Sequence, residues 1–272
     1  MKTIPFSSPD FKNSDLKAVE KVIRSGWLAH GDYSKKLEQL FCDYTGAKYA
    51  TTVSNCTAGL HLSCLAAEFG PGDEVIVPAQ THTATAHAVE YTGARAVFCD
   101  VDPLSGNILL DDLEAKLTDH TKGIIPVHMY GYSCNMEKIQ AFCQKNNIVL
   151  IEDCAHAVGT IFDNTHVGNF GITGCFSFYP TKQIVTGEGG MVVFDDIDMF
   201  ERASAWHDHG HENNPAVQRW EDTRSSSGFN FRMMELQGAV GLAQLRKLPF
   251  VIQAQRENKT RLWDMISDIN EI

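Results

Sequence analysis

One lysine, Lys182, lies where a hydrophobic run gives way to a Pro-Thr turn, and the glycine-rich segment Gly187–Gly190 follows it shortly afterwards. The preceding run, Cys175–Phe178, is typical of a buried strand. Glycines let the backbone approach a ligand closely. A lysine amine becomes a nucleophile toward carbonyl groups when partial burial or a nearby cation lowers its pKa. The segment therefore indicates a reactive amine, although a lysine after such a turn is often only a solvated side chain.

A carboxylate, Asp153, follows the apolar run Ile148–Ile151 and so comes at the end of a predicted buried strand. A carboxylate in that position stays ionised only beside a cationic or strongly donating partner. A protonated pyridine nitrogen is one such partner. The alternative is that Asp153 caps the next turn, and the segment by itself does not separate these two interpretations.

Small polar residues, Ser54, Asn55, Cys56 and Thr57, connect a predicted strand to a predicted helix. The free backbone N–H groups at a helix start, together with the hydroxyls of Ser54 and Thr57, suit a phosphate. The same residues equally fit a plain helix N-cap. All three segments resemble loops at the carboxyl ends of strands, which is where open α/β sheets place their ligands.

The elements that must position these residues form an alternating pattern. Short apolar runs alternate with longer helical patterns, which predicts an α/β fold with a mostly parallel mixed sheet of about seven strands and helices on both faces. The predicted strands are Tyr49–Val53, Glu74–Val77, Ala94–Cys99, Gly123–His128, Ile148–Ile151, Gly174–Phe178 and Met191–Phe194. The predicted helices are Asp15–Arg24, Ala58–Glu68, Ala84–Tyr91, Leu110–Leu117, Met136–Lys145, Met234–Leu245 and one from about Pro249 to Trp263 or beyond. Ser14 is the expected cap of the first helix and Gly26 its stop.

The composition argues against several classes of partner. The net charge of −11 disfavours nucleic acid and anionic membrane surfaces. No run approaches the roughly 18 apolar residues of a membrane span, and the N-terminus has no apolar signal region. Eight cysteines without a CxxC pair indicate reduced, buried thiols and a cytoplasmic protein.

Two further features bear on organisation and on metals. The polar stretch Asp208–Gly228 predicts a long functional or mobile loop. It begins beside a histidine-rich cluster, His207–Glu212, whose spacing of two allows histidines on one side of a strand. No second cluster completes a metal site, so no metal is predicted. The chain reads as one domain, with an N-terminal arm, in residues 1–245, followed by the start of another in residues 246–272.

Taken together, the motifs resemble the DegT/DnrJ/EryC1/StrS sugar aminotransferases, which are pyridoxal-phosphate (PLP) enzymes of fold type I. The likeness runs in order through IPFSSPDF, SGWLAHG, SNCTAGLHL, PGDEVIVPAQTHTATAHAVEYTGARAVFCDVD, IIPVHMYG, IEDCAHAVGT, FSFYPTKQIVTGEGG and GFNFRMMELQGAVGLAQL. The Ser-Phe-x-x-x-Lys…Gly-Glu-Gly-Gly block is the most specific of these motifs.

The resemblance implies a role for each candidate residue. Lys182 would hold PLP as a Schiff base, and Asp153 would pair with the pyridinium nitrogen so that the ring remains an electron sink. His156 would lie beside the phenolic oxygen of the ring, and His82 would stack on the ring in place of the phenylalanine found in many members. The residues implied to hold the phosphate are Ser54, Thr57 and Ser177, with the backbone amides near Asn55 and Cys56.

A residue of a neighbouring subunit would complete the site. Asn230 matches an asparagine that reaches the phosphate bound by the other subunit, which implies an obligatory homodimer with composite active sites. Arg232 is a weaker candidate for contact with phosphate or substrate.

The implied reaction moves an amino group from a donor, most often glutamate in this family, to a nucleotide-linked keto sugar. Lys182 favours amino transfer over deoxygenation, because related sugar dehydratases have histidine at this position. Relative to the family, the chain ends early, so we expect a truncated small C-terminal domain and an uncovered apolar face formed by Leu248, Val251, Ile252, Leu262 and Met265. Two alternatives stay open at this stage: a folded, dimeric remnant without catalysis, and a PLP enzyme that acts on an amino acid alone, such as a decarboxylase or lyase.

Overall fold

A mixed seven-stranded sheet forms the centre of the protein in the computed structural model, which describes residue 5 and residues 7–214 and 216–269. Residues 1–4 and 6 of the predicted N-terminal arm, and Pro215 of the predicted loop, lie outside the described residues. The strands are β1 Tyr49–Val53, β2 Glu74–Pro78, β3 Arg95–Cys99, β4 Thr121–Ile124, β5 Val149–Asp153, β8 Thr173–Ser177 and β9 Gly190–Phe194. A separate hairpin pairs β6 Ile161–Phe162 with β7 Thr165–His166.

The strands follow the order β1-β9-β8-β5-β4-β2-β3 across the sheet. The five strands from β3 to β8 are parallel, whereas β9 runs antiparallel to both of its neighbours, β8 and β1. The carboxyl ends of β1, β5 and β8 therefore lie at the same edge of the sheet. This arrangement confirms the predicted α/β class and the mostly parallel mixed sheet.

The helices are α1 Asn13–Ser25, α2 Asp32–Thr45, α3 Cys56–Ala66, α4 Thr83–Glu90, α5 Leu110–Lys116, α6 Met136–Asn146, α7 Ile197–His207, α8 Glu235–Leu245 and α9 Leu248–Ile266. The sequence predictions missed α2, α7 and the β6–β7 hairpin. The prediction of Ser14 as the cap of α1 is also wrong, because Lys12 precedes the helix and donates its backbone N–H to Asp15 Oδ2 at 2.7 Å. Gly26 does end the helix, in the left-handed conformation.

The predicted strand Gly123–His128 is too long, because regular pairing stops at Ile124. Pro126 has no backbone N–H to donate, and its carbonyl instead accepts the N–H of Asp153. The backbone then turns through Val127 and His128 toward the carboxyl end of β5. The interruption brings this turn next to the end of the strand that carries Asp153.

A buried carboxylate on β5, Glu152, holds the loop that leads into β8. It accepts the backbone N–H groups of Gly168, Phe170 and Gly171 at 2.7–2.8 Å, and it also contacts His128 Nε2 at 3.1 Å. His128 Nδ1 accepts the N–H of Cys134, so Nε2 carries the proton that faces Glu152. Because successive residues of a strand face opposite sides, Glu152 supports the loop on one face while Asp153 faces the other.

The last helix differs from the prediction of an uncovered apolar face. Leu248 is fully buried, and Val251 and Ile252 are half-buried, whereas Leu262 and Met265 are exposed. Leu248 therefore belongs to the core, whereas Phe250 in the same turn and the later turns of α9 present apolar side chains to solvent. None of the described helices, α9 included, has the length and apolarity required to cross a bilayer.

A second carboxylate, that of the half-buried Glu38, fixes helix α2 to β1 and predicts a pH-dependent stability. Its Oε1 accepts both the N–H and the hydroxyl of Thr52, at 2.8 and 2.7 Å. Burial raises the pKa of Glu38 to about 7. The folded state therefore binds this proton more tightly than the unfolded state does, and stability falls as the pH rises from the ordinary glutamate pKa through 7.

We expect Glu38→Gln, which keeps the accepting oxygen, to remove this dependence. Relative to the variant, the wild type should lose on the order of 2–3 kcal/mol of unfolding free energy between about pH 5 and about pH 8. Urea unfolding at both pH values measures the difference. The matched control is Glu137→Gln on the exposed side of α6, which should change the pH profile by only a few tenths of a kcal/mol. Parallel profiles for the wild type and Glu38→Gln would contradict the prediction.

Candidate functional site

A cavity of about 700 Å³ opens at the carboxyl edge of the sheet, where β1, β5 and β8 end. Its size falls within the roughly 300–1,000 Å³ that is usual for small-molecule sites. Eight of the predicted site residues line it: Asn55, Cys56, Thr57, His82, Asp153, His156, Ser177 and Lys182. Segments more than 100 residues apart in the chain thus meet at one place, as the crossover connections of a parallel sheet require.

Asp153 is the last residue of β5 and is held by two donors. Its Oδ1 accepts the N–H of Ala155 at 3.0 Å, and its Oδ2 accepts the hydroxyl of Thr85 at 2.8 Å. Thr85 is fully buried on α4, and its hydroxyl also lies 2.7 Å from that of Thr81. Because a carboxylate can only accept, Thr85 donates to Asp153 and Thr81 donates to Thr85. This chain of donors stabilises the charged form of a carboxylate that is only 4% exposed.

Lys182 closes a turn immediately after β8. Its backbone N–H donates to the carbonyl of Tyr179 at 2.9 Å, and Pro180 occupies the second position of this turn, which its fixed φ favours. Burial is the main cause that lowers the pKa of Lys182, while Asp153 acts in the opposite direction. A lowered pKa increases the fraction of neutral, nucleophilic amine at neutral pH.

The first turn of α3 provides donors for an anion. Asn55 caps the helix by accepting the N–H of Ala58 at 2.9 Å. Among the described residues, the N–H groups of Cys56 and Thr57 have no acceptor in the protein, as expected at a helix start. Gly190 allows this turn to lie against the sheet, because a Cβ there would come within 2.9 Å of Cys56 N. Exposed N–H groups at a helix start form an anion site.

Two histidines border the cavity. His156 is half-buried, and its pKa is lowered by burial and by the charge of Lys182. Its ring stacks on that of Tyr130, with centroids 5.3 Å apart, and its Nδ1 accepts the N–H of Tyr130 at 3.3 Å. Nε2 of the neutral ring is then left as a donor. His82 caps α4 by accepting the N–H of Ala84 through Nδ1.

Three candidates lie outside the lining of this cavity. Ser54 is half-buried, and its backbone N–H donates to the carbonyl of Phe231 at 2.7 Å. Asn230 is exposed and pairs with Asp208 through an isolated bridge. Arg232 forms an ion pair with the same Asp208.

The histidine-rich cluster is divided between separate partners. His207 Nε2 bonds to the carbonyl of Thr52 at 2.9 Å, and burial lowers the pKa of His207 to about 4. His211 instead contacts Asp222 at 3.1 Å. His207 and His211 thus make contacts with separate parts of the protein, the carbonyl of Thr52 and the carboxylate of Asp222.

Two residues of the site were missed in the sequence. Thr85 bonds to Asp153, and Tyr130 stacks on His156. Thr81 and Thr85 come shortly after a predicted strand, and this position was a usable signal, because open α/β sheets bind their ligands at that edge. Nothing in the sequence pointed to Tyr130, whose backbone adopts a left-handed φ of 50°.

The sheet and the cavity at its carboxyl edge are those of an α/β enzyme that binds a small molecule. The chain belongs to the DegT/DnrJ/EryC1/StrS aminotransferase family, whose family model matches residues 9–272. This finding confirms the family resemblance drawn from the sequence motifs.

Three similar proteins illustrate the relationship. GDP-perosamine synthase of Escherichia coli O157:H7 is 40% identical over 260 residues, which cover 94% of this chain and 70% of that protein. Among solved structures, the Helicobacter pylori aminotransferase PseC, involved in the biosynthesis of pseudoaminic acid, matches with a TM-score of 0.93 and 32% identity over 99% of this chain and 72% of its own. The PLP form of the putative sugar aminotransferase Spr1654 from Streptococcus pneumoniae matches with a TM-score of 0.92 and 29% identity, over 98% and 72% of the two chains.

Proposed function

We propose that this protein is a PLP-dependent aminotransferase that moves an amino group from glutamate to a nucleotide-linked keto sugar, in amino-sugar or cell-surface polysaccharide biosynthesis. The observation that carries the proposal is the convergence of Lys182, Asp153 and the first turn of α3 on one cavity. Membership of an aminotransferase family, and the sugar nucleotide in the name of the Escherichia coli relative GDP-perosamine synthase, support the choice of reaction and acceptor.

The residues of the cavity fit PLP at three points. An anionic phosphate matches the unpaired N–H groups of Cys56 and Thr57, with the hydroxyls of Thr57 and Ser177 nearby. A protonated ring nitrogen matches the buried, doubly hydrogen-bonded carboxylate of Asp153. An aldehyde matches the amine of Lys182, whose pKa is lowered by burial. When bound, PLP would supply an electron sink for the negative charge that develops at the donor's Cα.

Each residue then has a definable task. Asp153 holds positive charge on the ring nitrogen, because its own ionised form is fixed by Thr85 and the Ala155 N–H. His156 offers its Nε2–H toward the cavity, where it can donate to an anionic ring oxygen. His82, at the start of α4, presents a flat side chain that can stack on a ring. The α3 turn orients the phosphate and so fixes the position of the reacting atoms.

Lys182 has the central task of moving a proton. With PLP bound, the neutral amine of Lys182 would take the proton from the donor's Cα and give it to C4′, the carbon that carries the aldehyde of free PLP. A positioned base of this kind contributes roughly 10²–10⁴ in rate. Desolvation of Lys182 favours the neutral form that this step requires.

Subunit arrangement and location are also proposals. We propose a homodimer in which Asn230, exposed and outside its own subunit's cavity, reaches the phosphate bound by the other subunit.

All eight cysteines are free and buried, which is typical of cytoplasmic proteins. We also keep the division into a PLP-binding unit, residues 1–245, and the start of a second unit, residues 246–272, in which α9 lies.

The direct test is a single-turnover reaction with glutamate and no sugar. We expect the PLP-loaded protein to lose its near-visible band as glutamate is added, and to release 2-oxoglutarate in equal amount. Borohydride reduction before the addition of glutamate should leave a pyridoxyl group on Lys182, which peptide mass spectrometry locates.

The outcomes distinguish the alternatives. A folded protein without a band and without label on Lys182 would favour a non-catalytic remnant. A band that responds to amino acids with release of carbon dioxide instead of a keto acid would favour a decarboxylase. A completed half-reaction would leave only the identity of the acceptor to establish.

A further inference from the structure

A second, smaller cavity of about 240 Å³ lies between α9 and the turn after β4. Tyr130, Gly131 and Tyr132 form one side of it, and Arg256 and Lys259 of α9 form the other. Its volume is too small for a whole nucleotide, but its open side would let a larger molecule extend outward. Two features of this cavity indicate what kind of ligand it binds. It lies next to the PLP cavity, and its charged residues are positive.

The charge of this cavity is unusual for the protein. Arg256 and Lys259 are the charged residues of its lining, and the lining contains no acidic residue, although the whole chain has a net charge of −11. Lys259 Nζ donates to the hydroxyl of Tyr132 at 2.6 Å and lies 4.5 Å from the centre of its ring. Arg256 makes only a long contact of 3.5 Å, to the carbonyl of Gly159.

Both cations therefore keep free donors. An ammonium group has three donors and a guanidinium has five, and among the described residues neither cation has a carboxylate partner within 4.0 Å. The tyrosine hydroxyl fixes the direction of Lys259 without neutralising its charge. Two positioned, uncompensated cations on one helix face suit a ligand with several anionic oxygens.

The small cavity shares a wall with the PLP cavity. Tyr130 lines the small cavity and stacks on His156, which lines the large one. Gln183 lines the small cavity and is the neighbour of Lys182 in the chain, and its Nε2 donates to the carbonyl of His156 at 3.3 Å. One layer of side chains, which includes Tyr130 and His156, thus separates the cavity of Arg256 from the cavity that contains Lys182.

We infer that Arg256 and Lys259 bind the diphosphate of a nucleotide-linked sugar, with the sugar directed past Tyr130 toward Lys182 and the nucleoside outward from α9. This inference rests on the proposed aminotransferase function, which supplies the reason for a sugar at Lys182. The diphosphate is the part of such a substrate that offers several anionic oxygens. Its binding by Arg256 and Lys259 fixes the distance from the sugar to the amine of Lys182.

The test measures binding of GDP, UDP and inorganic pyrophosphate to the PLP-loaded protein by titration calorimetry. We expect the double variant Arg256→Gln/Lys259→Gln to bind GDP or UDP at least about tenfold more weakly, because a lost hydrogen bond to a charged group has about that effect. Rising ionic strength should weaken binding to the wild type more than to the double variant. Arg261→Gln, an exposed cation on the same helix outside this lining, is the matched control and should bind within about twofold of the wild type.

Several results would overturn the inference. They are the absence of millimolar binding of GDP and UDP to the wild type, equal affinity in the double variant, and an equal loss in Arg261→Gln. Binding of pyrophosphate with the same affinity as the nucleotides would locate the contact at the diphosphate alone, in agreement with the small volume of the cavity. Circular dichroism and the PLP band verify that each variant is folded.

The glutamate half-reaction of the wild type is independent of this cavity. If that reaction fails while nucleotide binding depends on the two cations, the proposed aminotransferase function is wrong and the anion site remains. If the half-reaction succeeds and nucleotide binding does not depend on Arg256 and Lys259, only the inference of a diphosphate site fails.

Discussion

Replacement of Lys182 by alanine is expected to abolish covalent attachment of PLP and to lower the rate of amino transfer from glutamate by at least about 10³-fold. The variant loses both the nucleophilic amine and the group that moves the proton, and a positioned base alone contributes roughly 10²–10⁴ in rate. The near-visible spectrum and single-turnover release of 2-oxoglutarate measure the two losses separately. The turn that carries Lys182 is closed by its backbone N–H, which alanine retains.

Lys182→Arg is the matched variant, because it keeps the positive charge near Asp153 without a nucleophilic amine. Its activity should be as low as that of Lys182→Ala, which would exclude a purely electrostatic role. A small primary amine added to Lys182→Ala should restore part of the rate. Turnover at the wild-type rate in either variant, or a borohydride label on another lysine, would refute the assigned role.

Asp153→Asn is expected to lower the rate of the glutamate half-reaction by about 10²–10³-fold while the fold is kept. Asparagine has nearly the same shape, and its oxygen can still accept the Ala155 N–H, but it has no charge to hold a proton on the ring nitrogen. Loss of one member of a buried, hydrogen-bonded charge pair costs about 3–5 kcal/mol. Stopped-flow absorbance measures the rate, and PLP affinity should fall as well. A wild-type rate would refute the pairing of Asp153 with the ring.

Thr85 provides a graded form of the same experiment. Thr85→Val removes the hydroxyl that donates to Asp153 Oδ2 and keeps the volume, so a loss of about tenfold is expected. Thr85→Ser keeps the hydroxyl and should restore most of the rate and of the PLP affinity. Equal losses in both variants would mean that Thr85 contributes packing and not the hydrogen bond.

The sequence predicted most of the sheet, and the reason lies in its pattern. Each of the seven strands is a short apolar run bounded by polar or glycine residues, so each existed in the structure with ends shifted by a few residues. The exception was the strand ending at Ile124, where Pro126 interrupts pairing. Helix α2 was missed although Leu37, Phe41 and Tyr44 recur at helical spacing. Helix α7 was also missed, although Met199, Ala203 and Trp206 recur at helical spacing.

The candidate residues followed from local sequence for a different reason. In an open α/β sheet, polar residues just after a strand lie at the edge where ligands bind. That rule alone selected Asp153, Lys182 and the Ser54–Thr57 segment, and the structure brings all but Ser54 of these to one cavity. The family resemblance added His82, His156 and Ser177, which line the same cavity. It also added Asn230, which does not line this cavity.

The sequence by itself determined the class of fold and the family, and it pointed to Lys182 and Asp153 as the candidate reactive residues, because these depend on local pattern and on motifs. The tertiary structure alone decided which side chains contact the candidate residues of the site. The hydrogen bond from Thr85 to Asp153 joins residues 68 positions apart, and the stack of Tyr130 on His156 joins residues 26 positions apart. Lys259 of α9 contacts Tyr132 from 127 positions away. Such contacts depend on how helices pack against the sheet, and no local pattern of residues encodes their geometry.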